Sequence, residues 1–233
     1  ELIKVSLEVS DGQIPVIAGT GSNNTKTSIE ASKEAEALGV DGLLVITPYY
    51  NKTSQRGLLA HFTAIADAVN IPIILYDVPA RTGMKIEAET LRVLADHPNI
   101  IGLKDATGDV ARGAALIQSL PEGFAVYSGD DGTTCELLEA GAKGCISVTA
   151  NVAPAQMSEL CRLVLSGDID TGRVVDTRLQ PLHRALFLEP NPIPVKYALG
   201  YMGLIDPTMR LPLVPLSEEF EGGLIKAIDE CLK

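Results

Sequence analysis

Six short apolar runs, each followed by an amphipathic stretch, constrain this chain more than any other feature. They are IPVIAGTG from Ile14, GLLVITP from Gly42, IPIILYDVP from Ile71, IIGLKDAT from Ile100, FAVYSGDD from Phe124 and GCISVTAN from Gly144. Each is nearly continuous rather than strictly alternating, the pattern of strands in a parallel sheet buried on both faces. The segments between them carry helical spacing. Ala31, Ala35 and Leu38 can face the sheet while Lys33 and Glu36 point away and Gly39 ends the helix. Leu58, Phe62, Ile65 and Val69 mark the next helix at spacings of four, three and four. Repeated units of this kind wind a parallel sheet through right-handed crossovers.

After Asn151 the strand pattern stops, and residues 153–233 read as helices: MSELCRLVLSG, TGRVVDTRLQPLHRALF, IPVKYALGYMGL and EEFEGGLIKAIDECLK. No low-complexity linker intervenes, so a barrel portion at 1–152 and a helical domain at 153–233 are expected to pack together. A closed (β/α)8 barrel has eight strands in about 250 residues. The expected fold is therefore an α/β TIM barrel with a C-terminal helical domain, with its first two β/α units upstream of Glu1. The opening ELIKVSLEVSDGQ reads as the tail of an amphipathic element. An open doubly wound sheet would hold six strands as they stand, but no GxGxxG follows the first strand and no switch-point loop is evident.

Composition narrows the function classes. With 233 residues, 46% of them hydrophobic, the chain can bury a large core. A net charge of -11 opposes binding to a phosphate backbone, which rests on a basic surface releasing counterions. Apolar runs such as Ile71 to Leu75 fall far short of the roughly 18 residues that cross a bilayer. Cys135, Cys145, Cys161 and Cys231 lack CxxC spacing and read as reduced thiols. The expectation is a cytoplasmic protein acting on small molecules, with no nucleic-acid or membrane partner.

Parallel barrels place chemistry at the C-terminal ends of strands. Lys104 follows the apolar Ile100, Ile101, Gly102 and Leu103, and burial would favour its neutral amine, a nucleophile toward ketones. An ion pair with Asp105 or Asp130 is the competing account. Tyr76, late in the preceding strand, is either a proton shuttle or an aromatic closing the core. Arg81, just beyond that strand, is either a bidentate carboxylate clamp or a surface arginine. Tyr49 and Tyr50 stand together in a chain with only 4% aromatics, which suits an interface or simple packing.

Other features are set aside. GTGSNNT, from Gly19, lacks the GK[ST] of a phosphate loop. His61, His97 and His183 have no second histidine at ligand spacing, so no metal is expected. Asp130 and Asp131 read as the capped start of a helix rather than a cation site.

Six motifs nevertheless coincide: GTGSN at Gly19, TPYYN at Thr47, LYDVPARTG at Leu75, GLKDATG at Gly102, SGDD at Ser128 and EPNPIPVK at Glu189. In this order, and along almost the whole chain, they resemble the 4-hydroxy-tetrahydrodipicolinate synthase family, formerly the dihydrodipicolinate synthases. The resemblance implies a (β/α)8 barrel on which pyruvate forms an imine with Lys104, with no cofactor beyond that covalent adduct. It implies that the enamine attacks L-aspartate semialdehyde, giving the heterocyclic precursor of diaminopimelate and lysine. It assigns proton transfer to Tyr76, a relay into a neighbouring subunit's site to Tyr50, the semialdehyde's carboxylate to Arg81 and a backbone contact with pyruvate to Ile146. Homodimers or homotetramers follow from the same likeness.

Two departures and two rivals accompany it. The family's GTTGE motif, which contributes a threonine to the relay, is absent from this sequence. N-Acetylneuraminate lyases and keto-deoxy sugar-acid aldolases share the lysine and tyrosine, although ARTG favours the synthase; a catalytically silent binding or structural homologue is the alternative from another class. Family members sensitive to lysine bind it with positions matched by Asn23 and Tyr49, but Thr27 stands where an acidic residue is usual. Weak or no inhibition by lysine is therefore expected.

Overall fold

Five of the six apolar runs form strands. The computed structural model describes residues 1–232 and divides the chain into two units, Glu1–Gly129 and the residues from Asp130 onward. In the first unit the order is α1 (Leu2–Ser10), β1 (Ile17–Gly19), α2 (Thr25–Leu38), β2 (Gly42–Ile46), α3 (Gln55–Ala66), β3 (Ile73–Asp77), α4 (Pro79–Thr82), α5 (Ala88–Ala95), β4 (Ile100–Asp105), α6 (Val110–Ser119) and β5 (Ala125–Ser128). The strands lie in sequence order β1-β2-β3-β4-β5, every adjacent pair parallel. A doubly wound sheet reverses its order at a switch point; this one does not.

Alternation along the strands sorts side chains onto two faces. Leu43, Val45, Ile73, Leu75 and Leu103 are buried in one cluster with Leu58, Phe62 and Ile65 of α3, Leu91 and Leu94 of α5 and Leu116 of α6. Each such side chain contributes roughly 1.5–3 kcal/mol when fully removed from water. On the other face Leu44, Ile46, Tyr76, Lys104, Ala125 and Tyr127 remain half-buried and Ile17 is exposed. Burial on both faces, expected from the continuous apolar runs, thus holds throughout the helix-covered face, but on the other face it reaches Ile74 and Gly102 while their neighbours stay half-buried.

Local signals set the helix ends. The Asn24 side chain caps α2 by accepting from the Thr27 N–H at 3.2 Å, and Gly39 ends it at φ 92°, a left-handed conformation that favours glycine. The buried stripe of α2 is Ser28, Ser32 and Ala35, while Ala31 and Leu38 are half-buried. Ala35 is buried as expected, but the rest of the buried stripe is made of small hydroxyls, because these find partners in the interior. Thr20 and Ser32 share a hydrogen bond of 2.9 Å, and the Ser22 N–H donates to the Ser28 oxygen at 2.8 Å.

The second unit contains a 3-10 turn at Asp131–Thr133, α7 (Thr134–Glu139), a second 3-10 turn at Thr149–Asn151, α8 (Pro154–Leu165), α9 (Ile169–Ala185), α10 (Ile193–Tyr201) and α11 (Glu218–Leu232). Leu160 of α8, Leu179 and Leu182 of α9 and Leu224 and Ile228 of α11 are buried. The sixth run is not a strand: only Cys145 makes an isolated bridge, and the run then enters the second 3-10 turn. The Asp131 carboxylate accepts from the Val148 and Thr149 N–H groups at 3.0 and 2.8 Å, taking donors that a sheet ladder would use. Asp131 therefore ties down a distant segment rather than capping its own helix, and neither helix start in this stretch has a side-chain cap. No helix among the described residues is long and apolar enough to cross a membrane.

Candidate active site

The register between β3 and β4 creates the site. Ile73 pairs with Ile100, but a shift then pairs Ile74 with Gly102, leaving Ile101 as the extra residue of a bulge. Without that shift Tyr76 would stand opposite Leu103. With it, Tyr76 pairs with Lys104, and Ile46 of β2 and Tyr127 of β5 complete the row across four strands. Bulges beside active sites commonly re-aim a side chain in this way.

Lys104 Nζ lies over the Tyr76 ring, 4.1 Å from its centroid. A cation over a tyrosine face gains roughly 0.5–2 kcal/mol, more as water is excluded. Burial raises the Tyr76 phenol above its ordinary pKa, and the positive charge of Arg81 partly offsets that rise. Tyr76 therefore holds its proton at neutral pH and can donate it. Arg81 itself is exposed on α4, a single turn opened by Pro79 and closed by Gly83 at φ 72°. The lysine stem also needs room: a Cβ on Gly129 would come within 2.8 Å of Lys104 Cε and 2.9 Å of its Cγ.

A second cluster sits on the opposite face, one residue further along each strand. Arg112, on α6, donates to Asp105 Oδ2 at 2.7 Å, to Asp77 Oδ2 at 2.9 Å and to the Ile86 carbonyl at 2.8 Å. Asp105 Oδ1 accepts from the Thr107 backbone and hydroxyl at 3.0 and 2.7 Å. Burial raises Asp77 to about 6 even though Arg112 pulls the other way. Sequence reasoning offers Asp105 as an ion-pair partner for Lys104 but misses Arg112, which the structure pairs with Asp105 and Asp77; its signal is present, since an aspartate follows both Tyr76 and Lys104 and Arg112 lies in the first turn after the capping Asp109.

The remaining candidates fall in different places. The Asn23 side chain donates to the Tyr49 carbonyl at 3.2 Å and Asn51 donates to the Asn23 carbonyl at 2.9 Å, so Asn23 and Tyr49 are brought together. Thr27, four residues after Asn23, is exposed. Tyr50 is 92% exposed and holds φ 69°, an uncommon conformation for a residue with a side chain. Ile146 is half-buried in the second unit, between Cys145 and Ser147. His61, His97 and His183 hydrogen-bond Thr25, Asp67 and Thr149 respectively. Among the described residues, no group of three or more His, Cys, Asp or Glu side chains is placed to hold a metal ion.

Comparison with known proteins places the chain in a family. The chain is 55% identical over 219 residues to a 4-hydroxy-tetrahydrodipicolinate synthase of Marinobacter nauticus, covering 94% of this chain and 75% of that protein. It is 52% identical over 227 residues to the synthase of Nitrosomonas eutropha, covering 97% of this chain and 78% of the relative. The crystal structure of a chloride-inhibited dihydrodipicolinate synthase from Acinetobacter baumannii, complexed with pyruvate, superimposes with a TM-score of 0.97 at 51% identity, over 98% of this chain and 79% of that one. The family model described as the dihydrodipicolinate synthetase family matches residues 1–231, and the chain belongs to that family.

Proposed function

We infer that this chain condenses pyruvate with L-aspartate semialdehyde to 4-hydroxy-tetrahydrodipicolinate, the lyase step that feeds diaminopimelate and lysine biosynthesis. The observation that carries this reading is the pairing of Lys104 with Tyr76, amine over phenol ring, at the ends of neighbouring strands. The neutral Lys104 amine adds to C2 of pyruvate, and proton transfers expel the carbonyl oxygen as water to leave an iminium. The Tyr76 ring face, 4.1 Å from the nitrogen, stabilises that cation. Loss of a methyl proton gives the enamine, whose carbon attacks the semialdehyde's aldehyde while the aldehyde oxygen takes up a proton. The semialdehyde's amine then displaces Lys104 from C2, closing the ring and freeing the lysine. Tyr76, kept protonated by burial, is the donor and acceptor for these transfers.

The finer assignments belong to the same proposal. Arg81 holds the semialdehyde's carboxylate, Ile146 contacts pyruvate through its backbone, and Tyr50, displayed to solvent, relays protons in a neighbouring copy of a homodimer or homotetramer. The five-stranded sheet is read as an arc of a (β/α)8 barrel, with 1–152 as its barrel portion and 153–233 as the helical domain, in a cytoplasmic enzyme. No cofactor is required beyond the covalent imine. Asn23 and Tyr49 form the effector site; with Thr27 offering no charge to an ammonium group, added lysine inhibits turnover weakly.

Borohydride reduction in the presence of pyruvate tests the central claim. The expected product is a carboxyethyl adduct on Lys104, found by peptide mass spectrometry, together with turnover of pyruvate and L-aspartate semialdehyde. An adduct on another residue, or turnover with N-acetylmannosamine alone, would overturn it.

A further inference from the structure

The four cysteines occupy unlike environments, and one pair stands apart. Cys145, in the bridge-forming stretch before Ile146, and Cys161, on α8, place their sulfur atoms 3.6 Å apart. Neither is in a disulfide, and both are partly accessible. A disulfide bond is about 2.05 Å long, so the sulfurs need to close by roughly 1.5 Å, within reach of side-chain rotation and a small backbone adjustment. We propose that Cys145 and Cys161 form a dithiol site at which a peroxide generates an intrachain disulfide.

Hydrogen bonding from Cys145 brings the Cys161 thiol down to about 7, against the opposing effect of burial. A substantial fraction of Cys161 is then thiolate at neutral pH, and the thiolate is the nucleophilic form. Cys135 is the contrast: it is buried, and burial with the nearby carboxylates of Asp176 and Glu139 pushes it up to about 12. Cys161 attacks one peroxide oxygen, breaking the O–O bond and releasing water after protonation, which leaves a sulfenic acid. The Cys145 thiol then attacks that sulfur, expels the hydroxyl as a second water and forms the S–S bond. Two thiols are oxidised and one peroxide is reduced to two waters. Because Cys145 precedes Ile146, closing the bond strains the segment assigned to pyruvate; that consequence rests on the function proposed above.

The test uses the intact chain. No Lys or Arg lies between Gly144 and Arg162, so trypsin releases both cysteines in one peptide. After brief treatment with hydrogen peroxide and alkylation, that peptide should weigh two hydrogens less and carry no alkyl group, and dithiothreitol should reverse both changes. In Cys145→Ser, Cys161 should instead be trapped as a sulfenic acid by dimedone, which keeps the test decisive if Cys161→Ser folds poorly. Alkylation of both cysteines in the peroxide-treated protein, or oxidation of Cys135 and Cys231 first, would overturn the proposal. Borohydride trapping with pyruvate on the reduced protein reports separately on the Schiff-base reading.

Discussion

Two dipeptides, Tyr76-Asp77 and Lys104-Asp105, lie side by side on β3 and β4, and strand alternation sends their members to opposite faces. On one face Tyr76 and Lys104 are half-buried in a row that keeps solvent contact. On the other, Asp77 and Asp105 are fully enclosed and share a single guanidinium from Arg112. One face can change partners during a reaction, whereas the other holds charges whose partners are fixed. Adjacent residues can therefore serve chemistry and architecture without compromise, because the pleat separates them.

The same replacement on the two faces should separate these roles. Lys104→Met should eliminate the pyruvate adduct and drop turnover by several orders of magnitude toward the uncatalysed rate. Its stability, read from denaturant unfolding, should stay within about 1 kcal/mol of the parent. Arg112→Met should do the reverse: leaving two buried carboxylates without their cation costs about 3–5 kcal/mol, while the folded fraction still forms the adduct. Arg112→Met with parental stability and no adduct would erase the distinction between the faces.

A smaller effect sharpens the comparison through pH. Asp77 is raised to about 6 in the folded protein, whereas an unfolded aspartate titrates near about 3.9. Between those values the folded state binds more protons, so stability falls as pH rises from about 4 to 6, by about 3 kcal/mol in all. Asp77→Asn should flatten that decline in unfolding experiments across the window. A decline of the same size in the variant would assign it to another group.

The face proposed for chemistry is easier to read from the sequence than the face that supports it. Lys104 and Tyr76 were legible because strand-end placement and residue type point the same way, and the family motifs sharpened both. Their pairing depends on a bulge at Ile101, whose one mark in IIGLKDAT is the glycine that follows it. Asp105 is legible as a charged neighbour of Lys104, but its union with Asp77 through Arg112 is not, because charged residues near loops usually remain solvated and only the three-dimensional return of α6 encloses these. GCISVTAN was misread as a strand for a related reason: its apolar content suits a sheet, but the Asp131 carboxylate captures its backbone donors. The hydroxyl-lined interior of α2 was hidden because Ser28 and Ser32 look like surface residues until their partners Ser22 and Thr20 are in place.

Gly129 carries an implication for how such a site could be silenced or redesigned. Its missing methyl group is the space that the Lys104 stem occupies, with prospective contacts of 2.8 and 2.9 Å. A single alanine there would act as a wedge, turning the amine off its trajectory while every reacting group stayed in the sequence. A relative that keeps Lys104 and Tyr76 but carries alanine at this position should form the pyruvate adduct more slowly, so a position with no side chain at all belongs among those read for activity.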